Sequence, residues 1–337
     1  MKLLIVTQKV DRNDPILGFF HAWLELFARR CESVTVIAQS IGEHSLPPNV
    51  HVVGLGKEGG TPRMMQIARF WLFIVRHRSS YDAVLVHMTP VWILLGAPVW
   101  VALRKRMYLW YEIRRGSVKL SLALLLVRKV FAASAAGIPG TSRKLVVTGH
   151  GIDTALFRPD PAKRDSHATL SVGRITQVKR YDVILDAFAK LPSDLHLAIA
   201  GGVITGRDEE EMEKLREQME SLGIIRRIVI GWVSPADLPA LLQHATLFLH
   251  AAEGGLDKAL LEAMASGCLV VSTSKSACDL LPEACSATSE TIAAKAGKLL
   301  ALGTSERQRL TQELRGLVER GHSLPQCIAR LVTEMQS

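Results

Sequence analysis

Short runs of apolar residues recur along this chain between longer stretches in which apolar positions return every three or four residues. That alternation is the pattern of buried strands interleaved with amphipathic helices. The runs predict strands over residues 3–7, 33–38, 51–54, 83–87, 108–112, 129–133 and 145–148, with helices between them such as 19–30. A polar, breaker-rich stretch at 159–167, PDPAKRDSH, interrupts the rhythm. The pattern then restarts at 169–172, with further strands near 196–200, 228–231, 246–250 and 269–273. The expected fold class is α/β, with two Rossmann-like parallel-sheet domains facing across a cleft. Residues 1–160 would form the first, 161–320 the second, and 321–337 a helix returning to the first. Sheets of this kind bind ligands at the C-terminal ends of their strands.

Two segments test that reading. Residues 83–103 run for 21 positions without a formal charge, long enough to span a bilayer. Pro90, Gly96 and Pro98 fall inside the run, and His87 and Thr89 interrupt it, so it reads as a buried strand 83–88, a turn and a buried helix 91–103. Just upstream, residues 62–78 interleave bulky apolar side chains with Arg63, Arg69, Arg76 and Arg78. Such a helix either covers a sheet and lets its arginines reach water, or lies on a membrane surface.

Composition adds two constraints. With 337 residues and 48% apolar content the chain can fill two cores. The net charge of +9 hides a split: residues 1–158 hold 21 Lys and Arg against 9 Asp and Glu, whereas residues 159–337 hold 20 against 23. An excess of that size on the first half suggests an anionic partner, with an acidic membrane leaflet or phosphorylated lipid competing with nucleic acid, or simply a solvated basic face; the partner expected is the membrane and not nucleic acid. Five cysteines without a C-x-x-C pair fit a reducing compartment. The opening MKLLIVTQKVDR has an apolar run too short for a secretory signal. The expected location is therefore cytoplasmic, peripheral at the inner face of the cytoplasmic membrane.

The candidate chemistry lies in the second half. In 253–267, EGGLDKALLEAMASG, a Gly-rich loop runs into a helix whose first N–H groups and positive dipole end would face a phosphate, with Glu262 placed to accept from sugar hydroxyls. The plainer alternative is an ordinary helix with Ala259, Leu260, Ala263 and Met264 inward, a Lys258–Glu262 pair on its wet face and Gly267 as its C-cap. In 171–188, SVGRITQVKRYDVILDAF, a strand ends at Gly173 and Arg174 and Lys179 follows five residues later. That spacing lets a guanidinium and an ammonium reach one diphosphate. A G-x-G-x-x-G at Gly54, Gly56 and Gly59 follows the third strand rather than the first and opens no helix, so it reads as a loop and not as a dinucleotide site.

Taken in order, the Gly173-Arg174 to Lys179 pair, the Gly201-Gly202 turn, GWVSPADLPALLQHATLFLHAA (231–252) and LLEAMASGCLVVST (260–273) resemble the donor-binding half of GT-B-fold retaining glycosyltransferases of the family-4, or group 1, type. The first half is similar to the acceptor half of such enzymes through MKLLIVTQ, Gly18, HMTP and GHGID. The resemblance implies that Arg174 and Lys179 neutralise a donor diphosphate and that Glu262 contacts the ribose. It implies further that Trp232 and Val233 border the base, and that Gly18 lets a first-domain loop approach the phosphates. Gly173, Gly201, Gly202, Glu253, Gly254, Gly255 and Leu256 would complete the donor site, with Asp257 and Lys258 beside sugar and phosphate. His87, Glu112, Arg114 and His150 would stand on the acceptor side.

Two positions depart from the family pattern. The acid that the family places eight residues before Glu262 is here Gly254, with Glu253 next to it, so the sugar contact is open between Glu253 and Asp257. The position of a histidine near the reacting sugar is Ile113. The implied activity is hexosyl transfer from a nucleotide-diphosphate sugar to a lipid-linked or cell-envelope glycan, with no metal and no other cofactor. A non-catalytic nucleotide-sugar-binding subunit, and more remotely an NAD(P)-binding oxidoreductase, are the alternatives.

Overall fold

The computed structural model describes residues 1–113 and 116–337, so Arg114 lies outside the described residues. The chain divides into two compact units, Met1–Gly151 with Leu324–Ser337, and Ile152–Ser323.

The first unit runs β1 (Lys2–Val10), α1 (Phe20–Ala28), β2 (Ser33–Ile41), β3 (Val50–Gly54), α2 (Arg63–Arg76), β4 (Ala83–His87), α3 (Val91–Ala102), β5 (Arg106–Trp110), α4 (Val118–Leu126), β6 (Lys129–Ala132) and β7 (Leu145–Val147). Its strands form one sheet in the order β3-β2-β1-β4-β5-β6-β7, with every neighbouring pair parallel. Alternation along β1 explains the layering. Leu3 and Ile5 pack with α1 and the C-terminal helix Leu324–Gln336, whereas Leu4 and Val6 pack with α2, α3 and α4. A sheet buried on both faces accounts for the continuous apolar runs in the sequence.

The uncharged run 83–103 is the strand, turn and helix expected, with Met88 in the left-handed region (φ 63°) at the turn. Among the described residues no helix is long and apolar enough to cross a membrane. The fifth strand is displaced from expectation: it starts at Arg106, which pairs with Ala83, and ends at Trp110. Glu112 leaves the ladder because its carboxylate accepts from the backbone of Ala133 (2.6 Å) and the hydroxyl of Ser134 (2.9 Å). The Gly54–Gly59 segment is a turn after β3, an edge strand, away from the point where the sheet reverses direction.

The second unit runs β8 (Asp165–Val172), α5 (Tyr181–Phe188), β9 (His196–Ala200), α6 (Gly206–Ser221), β10 (Ile228–Gly231), α7 (Leu238–His244), β11 (Ala245–His250), α8 (Lys258–Ala265), β12 (Leu269–Ser272), α9 (Lys275–Cys278), α10 (Ile292–Leu300) and α11 (Thr304–Gly321). Its parallel sheet has the order β10-β9-β8-β11-β12, reversing between β8 and β11. Sheets of this type hold ligands where the order reverses, outside the strand C-termini.

In the first unit the corresponding point, between β1 and β4, is filled by aromatic rings. His87 is buried, its Nδ1 lies 3.3 Å from the Thr7 hydroxyl, and its ring stacks on Phe20 (4.4 Å) beside Trp110 (5.3 Å). Burial, assisted by His150, pushes the imidazole down to about 3 from 6.5. The folded state therefore binds fewer protons than the unfolded one between those values, and stability from a neutral His87 is complete above about 6.5 and lost as the pH falls toward about 3. Thermal unfolding midpoints measured across that window should fall with pH, and less steeply in His87→Asn. His322, pushed down to about 4 by burial, keeps part of the slope. An unchanged slope in His87→Asn would remove His87 as its source.

Candidate functional site

The reversal between β8 and β11 brings the two sequence-predicted segments together. The chain leaves β8 through Gly173, whose φ of +144° favours glycine and against which the end of the Lys179 side chain packs. The Tyr181 hydroxyl donates to the Gly173 carbonyl (2.6 Å), fixing that turn. A Cβ on Gly201, at the end of β9, would collide with the same carbonyl, so the two neighbouring strand ends approach as backbone on backbone. Gly202 follows, and Trp232, after β10, holds its exposed indole 3.5 Å from where a Gly202 Cβ would stand. Val233 is half-buried beside it.

Leaving β11, the loop 251–257 returns across these turns. The Glu253 backbone N–H donates to the Val178 carbonyl (2.8 Å) and the Gly254 carbonyl accepts from the Ser276 hydroxyl (2.7 Å). Gly254 itself takes φ +126°, a value that an acidic side chain would adopt only with strain. Leu256 is buried and anchors the loop in the core, with Gly255 between them.

At the centre Lys179 pairs with Asp257. Asp257 also caps α8 by accepting from the Ala259 N–H (3.2 Å) and lies 3.3 Å from His250 Nε2. His250 Nδ1 in turn meets the Ser272 hydroxyl at 2.8 Å, so the ends of β11 and β12 are linked to that carboxylate through one imidazole. Burial alone would raise the Asp257 carboxyl; the Lys179 ammonium and His250 outweigh it and hold the group well below the usual carboxylate range. The carboxylate is therefore ionised across the neutral range.

The remaining charges are also matched. Arg174 lies 3.7 Å from Asp208, which caps α6, and keeps an exposed side chain. Arg180, in the left-handed region (φ 50°), holds Asp182 through paired contacts and Glu253 at 2.8 Å. Glu253 is thus engaged outward with Arg180 and not with the Lys179–Asp257 centre. Lys258 pairs with Glu262 one turn along α8 and stands 5.6 Å from the Phe157 ring.

That last pair does not lie on a wet face. Residues Ala259 to Ala265 are all buried, and Glu262 is only 5% exposed, because α8 packs between the strands β11 and β12 and helix α11. Burial raises the Glu262 carboxyl, and Lys258 draws it back only partly.

In the first unit, Gly18 sits in the β1–α1 turn. A Cβ there would come within 2.6 Å of the Asp14 carbonyl and 2.8 Å of that of Arg12, so the glycine is already required by the packing of its own loop. His87 and His150 flank Trp110 in the aromatic cluster, and Glu112 is bound to the start of the turn after β6. His250, Tyr181, Arg180 and Asp208 are the members of the second-unit cluster that sequence reasoning missed. For His250 a signal existed, since it ends a strand one position before the loop carrying Asp257.

Residues 153–280 match the family model described as glycosyl transferases group 1. Mannosylfructose-phosphate synthase of Agrobacterium fabrum is 31% identical over 116 residues, 32% of this chain, and the matched part spans 26% of that relative's length. Among solved structures, the Anabaena protein HepE in complex with UDP and glucose superposes with a TM-score of 0.77 at 18% identity over all of both chains. Sucrose-phosphate synthase from Thermosynechococcus elongatus superposes with a TM-score of 0.78 at 15% identity, over 100% of this chain and 98% of that one. Two parallel-sheet α/β units with these counterparts give this chain the GT-B fold, and the group 1 family model matches its residues 153–280.

Proposed function

We propose that this protein is a retaining glycosyltransferase that moves a hexose from a nucleotide-diphosphate sugar to a hydroxyl acceptor, a lipid-linked or cell-envelope glycan. The observation that carries the reading is the convergence of Gly173, Arg174, Lys179, Asp257 and Glu262 where the second sheet reverses. The exposed Trp232, beside Gly202, offers a face for the base of a nucleotide. The Anabaena counterpart has been crystallised with UDP and with UDP-glucose, which makes UDP-glucose the first donor to try.

In the proposed reaction the bond from the anomeric carbon to the diphosphate oxygen breaks as the acceptor oxygen bonds to the same face of the sugar. The acceptor proton passes to the departing diphosphate oxygen, on which negative charge builds up as the bond to the sugar breaks. Stabilising that charge is the protein's main task. Arg174 reaches it by giving up a 3.7 Å contact with Asp208, a small loss for an exposed side chain. Lys179 is already aimed by Asp257, and Asp257 would face the sugar hydroxyls. Glu262, once Lys258 turns toward phosphate, accepts from the ribose. The scheme draws on side chains and backbone N–H groups and calls for no metal.

A thermal-shift screen of UDP-, GDP-, ADP- and dTDP-sugars should single out one base, with about 2.7 kcal/mol of stabilisation at a hundredfold excess over Kd. In a nucleotide-release assay Arg174→Ala should lose about a hundredfold in turnover, as expected for removal of one preorganised donor, and a chelator should leave the wild type unchanged. Near wild-type turnover of Arg174→Ala would remove it from the mechanism. Saturable binding of a sugar nucleotide with no turnover on any acceptor or on water would instead make the protein a binding subunit.

A further inference from the structure

The basic excess of the first half is confined to one segment. Residues 62–144 hold 14 Lys and Arg against two acids, Asp82 and Glu112, whereas residues 1–61 hold six of each sign. Both acids are turned to internal use: Asp82 accepts from the Lys2 backbone (3.0 Å) and Glu112 from the Ala133 and Ser134 backbone. The three helices of this segment contain no acidic residue. Among its described residues only Lys129 pairs with a carboxylate, that of Glu334, so Arg63, Arg76 and Lys119 leave their charge uncompensated within the chain.

The same helices carry an unpartnered apolar surface. α2, α3 and α4 lie side by side on one face of the sheet, burying Phe70, Ile74, Trp100 and Leu120 beneath them. Trp71 locks α2 to α3 by donating to the Leu95 carbonyl (2.8 Å). Outward stand Met64, Leu72 and Val75 on α2, and Val118, Leu122 and Leu125 on α4; Leu72, Val118 and Leu125 are 65%, 76% and 75% exposed. These large exposed apolar side chains stand on the two helices that flank α3 in one braced layer, and such a layer offers a docking surface.

We propose that the outer face of α2, α3 and α4 seats this protein on an anionic lipid bilayer. Leu72, Val118 and Leu125 would enter the headgroup boundary, and Arg63, Arg76 and Lys119 would meet the lipid phosphates. The occupant is argued from charge: a face with bases, apolar side chains and no carboxylate matches a negatively charged layer with an apolar interior. A nucleic acid would use the bases and leave the leucines in water. The surface stands on the first unit alone and extends the donor reading by bringing the chain to where lipid-linked acceptors lie.

The test is co-sedimentation of the full chain with phosphatidylcholine vesicles, with and without phosphatidylglycerol, at low and high salt. The wild type should pellet with the anionic vesicles only. Arg76→Glu with Lys119→Glu should weaken that binding by roughly twentyfold or more, and Leu72→Glu with Leu125→Glu should abolish it while melting as the wild type does. Met64→Glu, in the first turn of α2, gives a second apolar variant if the double one folds poorly. No wild-type binding at low salt would overturn the proposal. So would undiminished binding of the leucine variant, the result for a purely charge-driven partner such as RNA. A concentration-dependent dimer lost in that variant would assign the face to a second copy instead. The assay needs neither donor nor turnover, so its failure leaves the donor reading standing, and failure of the nucleotide screen leaves this one standing.

Discussion

The Lys179–Asp257 ion pair is the interaction on which the second unit's strand-end geometry depends. Each charge is largely withdrawn from water, a cost that attraction alone does not reliably recover. Here the carboxylate is used several times over: it caps α8, receives Lys179 and meets His250, which is itself set by Ser272. Removing one partner would strand the other, at about 3–5 kcal/mol for a buried pair. The pair ties the loop after β11 to the turn after β8, which are 78 residues apart in sequence and meet only because β8 and β11 are neighbours in the sheet.

The electrostatics of this arrangement set terms for any anionic ligand. Lys179, Lys258 and Arg180 each hold a carboxylate, and Arg174 rests near Asp208. A diphosphate arriving there meets cations that are positioned but already matched, so its binding exchanges partners instead of filling a vacant positive pocket. Such exchange suits a reaction in which charge on the leaving group grows, because the strongest contact forms when that charge is greatest. The buried Glu262, its carboxyl raised by burial and drawn down chiefly by Lys258 with a smaller pull from Lys179, is the member most responsive to a shift of Lys258.

Much of this was legible from residues alone, for reasons that differ by element. Strands buried on both faces write themselves as continuous apolar runs, so their number and order could be read directly, and β4, β9 and β10 coincide with the expected bounds. The fifth strand shifted by two residues because Arg106 and Lys105, which look like a helix end, serve a strand and a buried tyrosine instead. The glycines at 173 and 201 could be noticed by motif, but only the structure gives the reasons: a φ of +144° at Gly173, and at Gly201 a Cβ that would collide with the Gly173 carbonyl. Glu253 was conspicuous in sequence and is occupied by Arg180; His250 was inconspicuous and lies against Asp257, since long-range pairing decides both. The burial of Glu262 was invisible because α11, which covers α8, follows it by some forty residues.

Lys179 is the residue that would act most directly through the phosphates. Calorimetric titration of the wild type and of Lys179→Ala, each with the nucleoside diphosphate that the screen selects and with the corresponding nucleoside, measures that directly. Loss of one charge-assisted contact should weaken the diphosphate by about tenfold or more beyond the loss that the unpaired Asp257 imposes on the nucleoside. Equal affinity of the two proteins for the diphosphate, or an equal loss for diphosphate and nucleoside, would contradict it.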